Sequence, residues 1–139
     1  KLEKGGCSCD NPEPCRSKSK AYERQIKTIE IETEDAISDD GQEIYNLLQD
    51  KGIETVIIMG VHTNVCVLGR PFGIRQMVYL GKSVILCRDL TDSHHRDPGK
   101  HFEGLARIIE HIEKYWCPTI TSNQITGGKP FRFKNDNSI

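Results

Sequence analysis

The sequence has no apolar run of the about 20 residues that a membrane-spanning helix requires. It also lacks the basic segment and following apolar stretch of a signal peptide. Its 19 basic and 20 acidic residues leave a net charge of -1, so no overall electrostatic field attracts nucleic acid or anionic lipid. We therefore expect a cytoplasmic protein with neither a membrane partner nor a nucleic-acid partner.

Aromatic residues are scarce, at 6% of the chain, yet 139 residues are enough for one domain with its own core. The six cysteines do not form the framework of a small secreted disulfide protein, so we expect reduced thiols. Cys7, Cys9 and Cys15 cluster and would supply most of a zinc site, which His94 or His95 could complete. Their spacing is not that of a standard zinc knuckle, and we favour loop thiols without a metal.

The sequence pattern divides the chain into an irregular lead-in over 1–28, an α/β domain over 29–122 and a C-terminal extension over 123–139. Ile29 and Ile31 alternate with glutamates, which predicts a short edge strand at the start of the domain. In the extension, Phe131 and Phe133 are expected to dock on the domain.

Helices and strands then alternate along the domain. A helix over 42–50 is expected to be capped by Asp39 or Asp40 and stopped by Gly52. The later elements are a strand covered on both faces at 55–59, a helix over 64–80 interrupted at Pro71, a strand at 83–86, a helix over 101–115 and a short strand at 119–121. This order predicts an α/β fold, a three-layer, doubly wound and mostly parallel sheet with helices on both faces.

The segment Gly60-Val61-His62-Thr63-Asn64-Val65-Cys66-Val67 joins a strand to a helical segment and carries a cysteine. Backbone NH groups at the start of a helical turn lower the pKa of a thiol and can bind an oxyanion. Cys66 is therefore our candidate nucleophile. The alternative is that Cys66 is a small buried apolar residue, as most free cysteines are.

This segment resembles the isochorismatase-like cysteine hydrolases, a family that includes nicotinamidases and N-carbamoylsarcosine amidases. The family pattern Gly-Val-x-Thr-x-x-Cys-Val is present in full, and the resemblance extends from about Ile29 to Ile120. It implies an isochorismatase-like α/β fold, incomplete on its N-terminal side.

The resemblance also implies a chemistry, in which the Cys66 thiolate attacks a small amide or ureido compound and forms a thioester. The backbone NH groups of His62 and Cys66 would then bind the oxyanion, and the Val61–His62 peptide bond is a candidate cis bond. Nicotinamidases of the family hold a metal with an aspartate and two histidines, but the region that supplies these residues has no counterpart in this sequence, so no cofactor is expected. Family members commonly assemble as dimers or tetramers, so a homo-oligomer is expected.

Two catalytic partners of the family are not found in this sequence. The family's aspartate base lies on an apolar first strand, and nothing before Ile29 resembles one. Where the family lysine is expected, the chain has Thr33, Glu34 and Asp35. We therefore expect a part of a longer protein, or a chain that pairs its open sheet edge with another, with little activity by itself. The alternative is a non-catalytic family member that acts in binding or assembly.

Four more side chains are candidates for the pocket that Cys66 faces, namely Thr63, Asn64, Asp89 and Asp92. Thr63 and Asn64 precede the cysteine, whereas Asp89 and Asp92 lie in a loop expected after the strand at 83–86. Sites in parallel sheets lie at the carboxyl ends of strands, which favours such a loop. Both aspartates fit helix capping as well.

Overall fold

The computed structural model describes residues 27–134 and residue 136. The chain divides into two units, Lys1–Ile37 and Ser38–Ile139. The predicted lead-in, apart from Lys27 and Thr28, lies outside the described residues, and so does the cysteine cluster of Cys7, Cys9 and Cys15.

The described part of the first unit is irregular. The NH of Asp35 donates to the carbonyl of Glu32 at 3.1 Å, and the NH of Glu32 donates to the Asp35 carboxylate at 2.8 Å, which closes a turn. The strand predicted at Ile29 and Ile31 is wrong, since both side chains are exposed and no described strand pairs with them. Two isoleucines make too short an alternation to specify a strand without a partner.

The second unit begins with helix α1, Gly41–Asp50. Of the two capping candidates the structure selects Asp40, whose carboxylate accepts hydrogen bonds from the NH groups of Gln42 and Glu43, both at 2.9 Å. Gly52, at φ +64°, follows the end of the helix. The predicted helix is thus confirmed.

The described residues contain one sheet of three parallel strands, in the order β1 (Thr55–Val61), β2 (Ser83–Asp92) and β3 (Thr119–Ile120). Helix α2 (Ile74–Tyr79) connects β1 to β2, and helix α3 (His101–Tyr115) connects β2 to β3. Parallel strands joined by helices make this an α/β fold, as predicted.

Strand β2 continues to Asp92, so the expectation of a loop over 89–93 is wrong. Its pairing with β1 is irregular, because Leu86 pairs with Ile58 but Thr91 pairs with Gly60. The polar residues that ended the apolar pattern are accommodated in the strand, since hydrogen bonds satisfy the buried side chains of Asp89 and Thr91.

Strand β1 is not covered on both faces, which corrects the sequence prediction. Its burial alternates, and the outward-facing Ile57, Met59 and Val61 are 42%, 47% and 61% exposed. Within the described part of the chain β1 is also an edge strand. When exposed and part-buried side chains alternate along a strand, only one face of that strand is packed against the core.

The segment between β1 and β2 is divided as Pro71 predicted. A short π-helical turn, Thr63–Val67, which we call the cysteine turn, is separated from α2 by a bend over 70–73. Gly73 permits a close approach there, because a Cβ at this position would lie 2.7 Å from the carbonyl oxygen of Val67 and 2.9 Å from that of Cys66.

The core lies between the sheet, the cysteine turn, α2 and α3. Its buried members are Val67, Leu68, Ile74, Met77, Val84, Leu86, Ile112 and Cys117. A fourth helix, α4 (Asn123–Thr126), begins the C-terminal extension, and the Phe133 ring then lies 6.5 Å from that of Phe102 on α3. Among the described helices, none combines the length and the apolar character of a membrane span.

Candidate active site

The cysteine turn begins directly beyond the carboxyl ends of β1 and β2. Gly60 and Val61 at the end of β1 pair with Thr91 and Asp92 of β2, and the Val61–His62 peptide bond is cis. Gly60 has φ +110°, a backbone conformation that side-chain-bearing residues rarely adopt. Ligand sites of parallel α/β sheets lie at this edge, so the position of the turn suits a binding site.

Cys66 is the most accessible of the three cysteines in the described residues. It is half-buried, whereas Cys87 and Cys117 are buried. Burial, with the hydrogen bond and charge of Asp89, raises the pKa of Cys87 to about 11, and burial raises the pKa of Cys117. Since the thiolate is the nucleophilic form, Cys87 and Cys117 are poor nucleophiles. Cys66 is thus the one of these three thiols that a solvent molecule or a small reagent can reach.

Buried hydroxyl groups connect the cysteine turn to β2. The Thr91 hydroxyl donates to the carbonyl oxygen of Gly60 at 2.7 Å, and the hydroxyl oxygens of Thr91 and Thr63 lie 2.6 Å apart. A hydroxyl has one proton, and that of Thr91 goes to Gly60, so Thr63 is the donor to Thr91. Thr63 therefore serves the structure of the turn, with its side chain turned into the protein and 0% exposed.

Asn64 joins the turn to the segment after β2. Its side-chain amide donates to the carbonyl of His94, and its side-chain oxygen accepts from the NH of His94, both at 2.9 Å. The rings of His62 and His94 lie 5.5 Å apart at this same edge of the sheet. Asn64 thus brings His62 and His94 together beside the start of the cysteine turn.

Asp92 forms a pair with a histidine. Its Oδ1 lies 2.6 Å from Nε2 of His101, the first residue of α3, and accepts the NH of Ser93 at 2.9 Å. Both side chains of the pair keep more than a quarter of their surface exposed. The hydroxyl of Ser93 is buried and has no hydrogen-bond partner among the described residues. Asp92 therefore lies at the edge that the sequence predicted for it.

The Asp89 side chain does not belong to the group of residues at the carboxyl ends of β1 and β2. Its carboxylate accepts hydrogen bonds from the NH and hydroxyl of Ser122 and from the NH of Phe131, at 2.8, 2.5 and 2.9 Å. It borders a separate cavity of about 310 Å³, between α3 and the C-terminal extension, that Cys66 does not line. Burial by itself would raise the pKa of Asp89, but these donors outweigh it and the pKa is lowered.

Within the described residues, no carboxylate forms a hydrogen bond to the Cys66 thiol. No three His, Cys, Asp or Glu side chains of this part of the chain are arranged to hold a metal ion. Sequence reasoning missed the hydrogen-bonding roles of Thr91 and His94 and the pairing of His101 with Asp92. Their position at or beyond the carboxyl end of β2 was the one available signal, because the carboxyl ends of parallel strands lie on the same side of the sheet.

The parallel sheet and its connecting helices make this chain an α/β protein. The accessible cysteine in the turn beyond the carboxyl end of β1 is its candidate nucleophile. The model of the isochorismatase domain matches residues 28–124, which is more than half of the chain. The chain therefore belongs to the isochorismatase family of hydrolases, as its cysteine segment predicted. No curated protein and no solved structure gives a significant match.

Proposed function

We propose that this domain hydrolyses a C–N bond of a small amide or ureido compound through a thioester on Cys66. The observation that carries the proposal is the place of Cys66, a half-buried thiol in the turn beyond the carboxyl end of β1. The backbone NH groups of His62 and Cys66 would stabilise the oxyanion that forms when the thiolate attacks. Neither step requires a cofactor.

The proposed reaction also needs a proton acceptor, and the described residues place none at the Cys66 thiol. A cysteine hydrolase needs a base to activate the thiol and an acid to protonate the leaving amine. No carboxylate of the described residues bonds to Cys66, and the sequence before Ile29 has no apolar segment like the strand that carries the family's aspartate; we therefore propose that the base is supplied by polypeptide outside this chain. The 139-residue chain alone would then turn over amides slowly or not at all.

The proposal is tested by ammonia release from nicotinamide and from an N-carbamoyl amino acid. We expect the wild-type chain to show no more release than its Cys66→Ser variant, but to gain Cys66-dependent release when formate or imidazole is added as an external base. Cys117→Ser is the matched control, because that thiol is buried and should be irrelevant to turnover. Cys66-dependent release without added base would show that the chain contains its own base.

A second candidate is a non-catalytic family member that acts in binding or assembly. The same lack of a carboxylate at the Cys66 thiol favours it, since an isolated thiol can be a relic of lost chemistry. The external-base experiment separates the two functions. No Cys66-dependent release from any amide, even with formate or imidazole, would support the non-catalytic member and contradict the hydrolase.

A further inference from the structure

We propose that Thr91 is a positioning residue for the Cys66 nucleophile. This inference deepens the proposed function and depends on it, because it assigns a task to a residue that lies outside the cysteine segment. The Thr91 hydroxyl is hydrogen-bonded to Gly60 and to Thr63, one on each side of His62, and the carbonyl of His62 is hydrogen-bonded to the cysteine turn.

Thr91 is 1% exposed and holds the chain on both sides of His62. On one side its hydroxyl donates to the carbonyl of Gly60, and on the other it accepts the hydroxyl proton of Thr63. Gly60 is the residue in this stretch with the greatest conformational freedom, because it has no side chain. The part-buried hydrogen bond to its carbonyl therefore fixes the backbone where it is least restrained.

The cysteine turn is hydrogen-bonded to the backbone of His62. The carbonyl oxygen of His62 accepts the NH groups of Val65, at 3.0 Å, and Val67, at 3.1 Å, which flank Cys66 on either side. A shift of His62 would thus carry Cys66 with it. It would also move the NH of His62, which the proposed function assigns to the oxyanion. Thr91 consequently controls the nucleophile and one oxyanion donor together.

Asn64 limits how far the cysteine turn can move when the Thr91 hydroxyl is removed. Its two hydrogen bonds with the backbone of His94 hold the turn at a second point, so loss of Thr91 alone should displace the turn without unfolding it. We therefore expect a Thr91 variant to change the reactivity of Cys66 while the buried Cys87 and Cys117 remain protected.

The test is the pH dependence of alkylation of each cysteine by iodoacetamide, followed by peptide mass spectrometry on the 139-residue chain. Thr91→Val keeps the shape of the side chain and removes both hydrogen bonds. It should slow alkylation of Cys66 at pH 7 by ~3-fold to ~10-fold, the equilibrium equivalent of one of these two hydrogen bonds, because Asn64 still holds the turn. Thr91→Ser retains the hydroxyl and should restore the wild-type profile.

A matched control is Thr119→Val, which removes a hydrogen bond from β3 to Glu113, since in the described sheet β3 is separated by β2 from the strand that leads into the cysteine turn. It should leave the Cys66 profile unchanged. If Thr91→Val does not fold, Thr63→Val removes only the bond between the two hydroxyls, and a smaller change in the same direction is expected.

Two results would overturn the inference. One is a Thr91→Val profile for Cys66 that matches the wild type. The other is faster alkylation of Cys87 and Cys117 alongside the change at Cys66, which would indicate general loosening of the domain. The proposed function is judged on different data, since ammonia release with an external base tests the hydrolase whatever the alkylation profiles of the Thr91 variants show.

Discussion

A single buried carboxylate, Asp89, ties the C-terminal extension to the sheet. It is 2% exposed and accepts two hydrogen bonds from Ser122 and one from the NH of Phe131. Asp89→Asn would place an amide NH₂ group against these donors, and should reduce the free energy of unfolding at pH 7 by about 1 to 3 kcal/mol. Urea denaturation measures this loss, and the exposed Asp97→Asn serves as the control, with an effect within about 0.5 kcal/mol.

The same carboxylate predicts a pH dependence of stability. The pKa of Asp89 is lower in the folded chain than its ordinary value of about 3.9. Its contribution is therefore complete above that ordinary value and is lost as the pH falls through the folded pKa. The difference in unfolding free energy between wild type and Asp89→Asn should shrink below about pH 4. A difference that stays constant from pH 7 to pH 3 would contradict this role.

At the scale of single residues, the sequence predicted the position of Cys66, between a strand and a helical turn, better than it predicted the contacts of the neighbouring residues. A cysteine between a strand and a helical turn is visible in the pattern, because both elements are local. The bonds that hold it are not, because Thr91 and His94 lie 28 and 30 positions from their partners Thr63 and Asn64. Asp89 was assigned to the wrong cavity because strand position alone does not say which partners a side chain finds.

At the scale of elements, helix α1 depends on its cap. Asp40 binds two NH groups of the first turn, whereas its neighbour Asp39 forms no such bond. Asp40→Ala should therefore lower the free energy of unfolding by about 1 kcal/mol, and Asp39→Ala by much less. Thermal denaturation of the two variants side by side is the check. Equal losses for the two would show that charge near the helix, not the cap bond, stabilises α1.

Elements with strong local signals were predicted closely. Helices α1 and α3, strand β1 and the break at Pro71 follow from apolar periodicity, capping and helix-breaking residues. The predicted strand over 83–86 was shorter than β2, because Arg88, Asp89 and Asp92 interrupt the apolar run of the sequence. In the structure, tertiary hydrogen bonds keep this part of the chain extended. The false strand at Ile29 and Ile31 is the converse case, a local pattern that no described tertiary contact supports.

At the scale of the whole molecule, the outward face of β1 should favour self-association. Ile57, Met59 and Val61 form an apolar row on a strand that is an edge in the described sheet. We expect the sedimentation coefficient of the wild type to rise with concentration, and Met59→Lys to reduce this rise. Ile125→Lys is the control, because Ile125 is equally exposed but lies on α4. A wild type that stays monomeric at all concentrations would contradict the expectation.

The central proposal is that Cys66 is the reactive thiol of this domain, and acylation by p-nitrophenyl acetate tests it most directly. The rate of acetyl transfer to each cysteine peptide is measured by mass spectrometry in the folded chain and in the same chain unfolded in urea. Among the three cysteines of the described residues, we predict that Cys66 is acylated fastest in the folded chain, because burial protects Cys87 and Cys117 and raises their pKa values, and that the three rates converge in urea. Acylation of Cys66 in the folded chain at a rate no higher than that of Cys87 and Cys117 would contradict the account, since the fold would then protect this thiol as it protects the other two.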